Sequence, residues 1–325
     1  MKSYKTIVTA LTISGMLVTS MPAWTVEAGL SVMAQEQRYK KTIANLDAKT
    51  VGLAKNAMKK LAGKDVELYG VEDGVDGLIF IYPKSGKAKG QVVFNQKTGK
   101  IYSAILYLTV KELDAMSPSY KNKALAELKK AEPKRAIAFH KVSRVMGNLP
   151  SNGVMTSIEG NDINVTYEND TLASITIQYD LKQVNPKMVK AAQQAMKNYS
   201  GTRNAMSQQW IRVYRSINGK NDTLSFQRTT SMIEIDTNTG KVVHVSSLDL
   251  MPTITPETEK KCKKISNKQI SMNASVEVKQ VFGINIQGYS MKRDRDTVIF
   301  HKKGAPTVTG KINMKGQFWS LSVTA

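Results

Sequence analysis

Apolar positions at helical spacing recur four times along the chain, each time just ahead of a glycine. Counting back from Gly63, Gly147, Gly201 and Gly283, the ninth residue is alanine (Ala54, Ala138, Ala192, Ala274). The fifth is Met58, Val142, Met196 or Val278, and the second is Leu61, Val145, Tyr199 or Val281. Steps of four and three residues mark one helix face, and a glycine past the last apolar position is the usual left-handed stop. Asn185 and Pro186 add a cap residue and a proline at the first helical position. The pattern predicts a helix ahead of each glycine.

Behind each helix the period changes to two, with β-branched and aromatic residues between turn signals, which reads as strands. They are expected at 66–70, 78–82, 91–94 and 101–108; at 154–158, 163–167 and 172–179; at 210–214, 224–227, 232–235 and 242–245; and at 284–288, 298–301, 308–312 and 318–323. The second set is one strand short. The last hairpin of each copy has a turn signature: Asn95, Thr98, Gly99 and Lys100 match Asp236, Thr239, Gly240 and Lys241, while Glu168-Asn169-Asp170 and Asn313 to Gly316 hold the corresponding places. A tight hairpin needs a residue tolerant of positive φ, and an Asp or Asn ahead of it bonds the loop backbone. These residues therefore build turns rather than a ligand site. Gly63 to Gly201 is 138 residues and Gly147 to Gly283 is 136, so the copies form a duplicated pair. The expected fold is α+β: four units, each a helix packed on a three- or four-stranded antiparallel sheet, arranged as two tandem pairs. The repeats span 44–110, 132–182 (short), 183–250 and 267–325, with basic linkers at 111–131 and 251–266.

A helix followed by antiparallel strands and a closing Asp-x-x-Thr-Gly-Lys hairpin resembles the PepSY domain. Asp236 to Lys241 carries the complete motif; the first copy has Asn95 in place of the aspartate, and the second and fourth keep a degenerate turn. The tandem layout is similar to YcdB/YcdC-type secreted repeat proteins of Gram-positive bacteria. The resemblance covers most of the chain from about residue 46 onward. It implies an extracytoplasmic, non-catalytic module that restrains or stabilises a secreted or envelope protein such as a protease. It brings no catalytic residues with it.

The N-terminus changes the picture of where the protein works. Lys2 and Lys5 precede an apolar run from Thr6 to Val18, Pro22 interrupts it, and small residues follow. This is the layout of a signal peptide, 1–28, with an alternative cleavage after 34. The run is too short and too hydroxylated for a spanning helix. Cys262 is the single cysteine, so no intramolecular disulfide is available. The formal charge is +21, and removal of Lys2, Lys5 and Glu27 with the signal leaves +20. Such a field favours acidic partners, which outside the cytoplasm means an anionic wall polymer, a membrane surface or an acidic protein, not nucleic acid.

Candidate chemistry is sparse. His140, His244 and His301 fall in different copies, and the sequence has no zinc-protease helix, nucleophile elbow, phosphate loop or Cys-x-x-Cys. The acidic stretch from Glu72 to Gly77 lacks calcium-loop spacing and reads as a hairpin connection, and Arg293-Asp294-Arg295-Asp296 reads as a solvated turn. No catalytic, cofactor or metal site is expected. The candidate anion-facing groups are Lys129, Lys130, Lys134 and Arg135 at the end of the first linker, and Lys260, Lys261, Lys263 and Lys264 in the second. The alternative for these eight is the solvated outer face of helices whose leucines pack inward. The functional expectation is a protein-binding module, with an envelope adaptor held to anionic polymer by charge as the alternative.

Overall fold

The computed structural model describes residues 39, 41–86, 89–147, 153–200, 210–219, 221–253 and 255–324. The signal peptide and Gly201 lie outside them. The chain order begins β1 (Lys41–Thr42), α1 (Ala48–Ala62), β2 (Leu68–Asp73), β3 (Leu78–Pro83), β4 (Gly90–Asn95) and β5 (Lys100–Leu108). It continues with α2 (Val110–Met116), α3 (Ser119–Ala131), β6 (Phe139–Met146), β7 (Val154–Gly160), β8 (Ile163–Glu168) and β9 (Thr171–Tyr179). Then come α4 (Pro186–Asn198), β10 (Arg212–Asn218), β11 (Asn221–Gln227), β12 (Ser231–Asp236) and β13 (Val242–Ser247). The last stretch holds α5 (Pro256–Lys263), α6 (Asn267–Phe282), β14 (Ser290–Asp294), β15 (Thr297–His301), β16 (Thr307–Ile312) and β17 (Phe318–Thr324).

Local signals set these elements. Asp47 caps α1 by accepting from the Thr50 amide at 2.9 Å, and Gly63 ends it in the left-handed region with its N–H on the Lys59 carbonyl. Gly283 ends α6 in the same way. Between the caps, Ala54, Met58 and Leu61, and likewise Ala274, Val278 and Val281, are buried in the predicted columns.

The sheet overturns the expectation of four separate units in two pairs. Each strand from β1 to β13 pairs antiparallel with the next; β13 then pairs with β17, and the order runs back through β16 and β15 to β14. Among the described residues the result is one continuous sheet of 17 strands. Pairing across the supposed borders, at β5–β6, β9–β10 and β13–β17, satisfies edge amides and carbonyls that four small sheets would leave open.

Three local expectations also fail. Residues 132–147 contain β6, not a helix, so the second set has its fourth strand after all and its helix lies within the supposed linker, as α3. Pro133 explains the boundary: Glu132, the residue before it, leaves the helical region at φ −138°, and Val142, Arg144 and Met146 then alternate on one face. That both basic linkers carry helices, α2 and α3 in the first and α5 in the second, accords with the alternative in which their lysines lie on the outer faces of helices. The strand expected at 284–288 begins only at Ser290, and α4 stops at Asn198 with Tyr199 as its cap.

Directly opposed residues of antiparallel strands share a face, so the pairing assigns every strand side chain. One face carries Val92, Leu106, Val142, Ile158, Val165 and Ile177, which form the first core with α1, α2 and α3. The same face continues through Val213, Phe226, Ile233, Val245 and Leu321, which form the second core with α4 and α6. These five helices therefore cover one side of the sheet, and Arg293, which faces that side from β14 opposite Val298, holds the end of α5 there. The two cores meet at β9–β10, where Arg215 bonds both carboxylate oxygens of Asp222 (2.8 and 2.6 Å), Glu132 (3.0 Å) and the Ala131 carbonyl (3.1 Å). Tyr179 donates to the same Glu132.

The internal recurrence survives in a different form. A bulge follows the turn of each closing hairpin, at Tyr102/Ser103, Ala173/Ser174, Val243/His244 and Trp319/Ser320. In β13 and β17 the equivalent residues Val245 and Leu321 pair with each other, which relates the last two four-stranded runs by a local two-fold.

Candidate functional site

The two faces of the sheet differ in charge. Two helices of the helical layer carry lysines without a compensating acid: Lys49, Lys55, Lys59 and Lys60 on α1, and Lys187, Lys190 and Lys197 on α4, with no Asp or Glu on either. All seven are exposed. Only Lys59, with Asp65 at 3.0 Å, has an ion pair among the described residues. Lysines spaced one or two turns apart place several within a Debye length of about 8 to 10 Å of each other.

The eight residues expected to face an anion divide. Lys129, Lys134, Lys260, Lys263 and Lys264 are exposed, with no ion pair among the described residues. Lys130 pairs with Glu127 at 2.6 Å and Lys261 with Glu257 at 2.7 Å, both within one helix. Arg135 is half-buried, lies over the Tyr179 ring and donates to the Gln178 carbonyl at 2.9 Å, so it serves its own fold. The two groups do not form one patch. α3 rests on β8 through Tyr120 and Tyr167, α5 is held at β14 by Arg293, and nine strand steps separate β8 from β14. At about 4.8 Å per step that is on the order of 40 Å along the sheet. What links them is the common helical side. The α1 and α4 lysines, which complete this layer, were missed although their signal was present: two amphipathic helices without a single acidic residue.

Among the described residues no helix joins the opposite face, which is rich in hydroxyls. A row of directly paired residues crosses it: Gln178, Tyr214, Ser225, Glu234, His244, Ser322, Thr309, Ile299 and Lys292, each on the next strand. His244 stands at the bulge position that Ser103, Ser174 and Ser320 occupy elsewhere, and it faces Glu234. Burial pushes the imidazole below its ordinary value of 6.5, and the Glu234 carboxylate offsets that only in part. Ser322, His244 and Glu234 are thus neighbours, but no hydrogen bond joins them: Glu234 accepts from Ser225 at 3.2 Å, and Ser322 donates to the Thr309 carbonyl at 3.4 Å. A nucleophile needs the base on its own proton. His140 is exposed on β6, and His301 contacts Thr307 at 3.2 Å.

The turn residues behave as turns. The Asn95 side chain accepts from the Thr98 amide at 3.1 Å and that of Asp236 from the Thr239 amide at 2.7 Å, while Gly99 and Gly240 sit at φ 65° and 67°. Lys100 and Lys241 follow them at the exposed foot of the hairpin. Of the Glu72 to Gly77 stretch, Glu72 and Asp73 belong to β2, opposite Phe80 and Ile79, and only residues 74–77 connect β2 to β3, closed by the Gly74 amide on the Leu78 carbonyl at 2.8 Å. Arg293 differs from the expected solvated turn: it donates to the carbonyls of Ile265 (2.8 Å) and Cys262 behind α5. A cleft of about 270 Å³ lies between the start of α1 and the β4–β5 hairpin, lined by Leu46, Asp47, Thr50, Phe94 and Gln96. Among the described residues no group of three metal-ligating side chains gathers, and no helix is long and apolar enough to cross a membrane.

No protein-family model matches the chain, and the search of curated proteins returned no match.

Proposed function

We propose that the protein is a non-catalytic adaptor of the cell envelope that lies outside the cytoplasm with its helical layer against an anionic wall polymer. The observation that carries this reading is the one-sided charge: α1 and α4 present exposed lysines with no acid between them, on the same side of the sheet as Lys129, Lys134, Lys260, Lys263 and Lys264. A polyanion suits such a surface, because a flexible chain of negative charges reaches separated lysines without needing a shaped pocket. Restraint of a secreted protease, the role implied by the PepSY resemblance, calls for shape-specific contacts and has no need of charge distributed along a whole layer. The signal-peptide layout supports the extracytoplasmic setting.

Binding of the mature chain to isolated Gram-positive cell wall, followed through a salt series, tests the reading. Retention should weaken steeply with ionic strength, because exposed charges are screened within about 8 to 10 Å near physiological salt. Retention that ignores salt, or none at low salt, overturns it.

A further inference from the structure

The sheet has two ends, and they are treated differently. At the β2 end, Lys41 and Thr42 add β1 opposite Val71 and Gly70. Tyr39 stacks on Tyr82 with ring centroids 5.4 Å apart, over the space left by Gly70. That end is occupied. At the other end, β14 pairs only with β15, and among the described residues no backbone hydrogen bond reaches its outer edge.

The chain itself shows what such an edge accepts. β6 and β10 each open a run of four strands, and each takes the last strand of the preceding run, β5 or β9, in antiparallel register. β14 opens the fourth run, but β13 is paired with β17 instead. Among the described residues, the place that β5 and β9 fill for the earlier runs is therefore open beside β14. Its side chains define the occupant. Met291 points to the helical side, packs on the second core and receives the Ser271 hydroxyl at 3.5 Å, so a strand beside it extends that core with an apolar residue. Ser290, Lys292 and Asp294 are exposed on the other side. Lys264, Lys302 and Lys303 are exposed nearby, and Arg295 at the hairpin tip lies 3.8 Å from Glu259. A lysine at an edge discourages neutral or basic strands, and a chain of charge +21 repels its own copies.

We propose that the outer edge of β14 takes up an acidic extended segment of a partner protein as an additional antiparallel strand. An apolar residue lies beside Met291 and a carboxylate beside Lys292. Backbone hydrogen bonds supply the affinity, and the alternating side chains supply the choice of partner.

The probe is a short fluorescein-labelled peptide of alternating glutamate and valine, with the same peptide N-methylated on every second residue as control. Anisotropy should report binding to the full chain, hydrogen exchange should slow at residues 290–294, and the N-methylated peptide should fail. Lys292→Glu should weaken binding on the order of tenfold, since an attractive cross-strand pair becomes a repulsive one. Glutamine at Lys187, Lys190 and Lys197 on the helical layer should leave peptide binding within about twofold once salt is near physiological. Equal binding by the N-methylated peptide, unchanged affinity in Lys292→Glu, or unaltered exchange at 290–294 overturns the proposal. Concentration-dependent protection of 290–294 without peptide also overturns it, and assigns the edge to a second copy.

Discussion

The Arg144 guanidinium on β6 donates to the carbonyl oxygen of Leu61, in the last turn of α1, at 2.7 Å. Its Nε donates to Thr156 at 3.1 Å, which fixes the fork within the core. Arg215 on β10 reaches the Ala131 carbonyl that ends α3, and Arg293 on β14 reaches carbonyls at the end of α5. Three strand arginines thus each place a cation against the C-terminal end of a helix.

Arg144→Ala should therefore cost about 2 to 3 kcal/mol, the range for a buried hydrogen bond to a charged group together with the space left behind. Arg144→Lys should recover only part of this, because a single ammonium cannot hold Thr156 and Leu61 in the same geometry. Urea unfolding of the three proteins checks the order. An alanine variant as stable as the parent contradicts the assignment.

Gly147 separates the two readings of 132–147. As a helix stop it would tolerate alanine with modest strain; as the residue after β6 it lies at φ 91° with an added Cβ only 2.5 Å from the Tyr102 carbonyl oxygen. Gly147→Ala should cost upwards of about 2 kcal/mol, whereas Gly240→Ala, at φ 67° with open space around it, should cost about 1. Thermal unfolding of both variants distinguishes the cases.

The misreading has a physical source. Ala138, Val142 and Val145 satisfy helical spacing by chance, yet Phe139, Val142 and Val145 are aromatic or β-branched and the stretch follows Pro133. Period alone could not decide so short a run. The strands of the first set, the caps at Asn185 and Gly63, and the hairpin turns at Asn95 and Asp236 were legible because each depends on neighbours in sequence. The joins β5–β6, β9–β10 and β13–β17 were not, since nothing local records which edge a strand will meet. For the same reason the linker lysines could be found in the sequence, but their common side with those of α1 and α4 could not.

The junction of the two cores should fail in acid. Asp222 loses solvent, which alone would raise its pKa, but the Arg215 and Thr237 hydrogen bonds outweigh this and hold the carboxyl below its ordinary 3.8. A depressed folded pKa gives stability that is present above the unfolded value and lost as pH falls through the folded one. Asp222→Asn should lower stability at neutral pH and flatten the loss below about pH 4. Urea midpoints across that range, parent against variant, check it.

His244 should act in a different window. Its folded pKa lies below 6.5, so below that value the unfolded chain binds the extra proton and stability falls with acidification until the folded pKa is passed. His244→Ser, which installs the residue of the three equivalent bulges, should remove that slope while leaving neutral-pH stability nearly intact. Melting temperatures between about pH 5 and 7 provide the comparison.

The central claim is that the helical layer is the anion-facing surface. It is tested most directly by replacing Lys49, Lys55, Lys60, Lys187, Lys190 and Lys197 with glutamine and measuring the salt at which the protein leaves isolated cell wall. These side chains are exposed and unpaired among the described residues, so the variant should fold with nearly the parent's stability. The account predicts elution at markedly lower salt than the parent, with a shallower dependence on ionic strength. Elution of a folded variant together with the parent would contradict it.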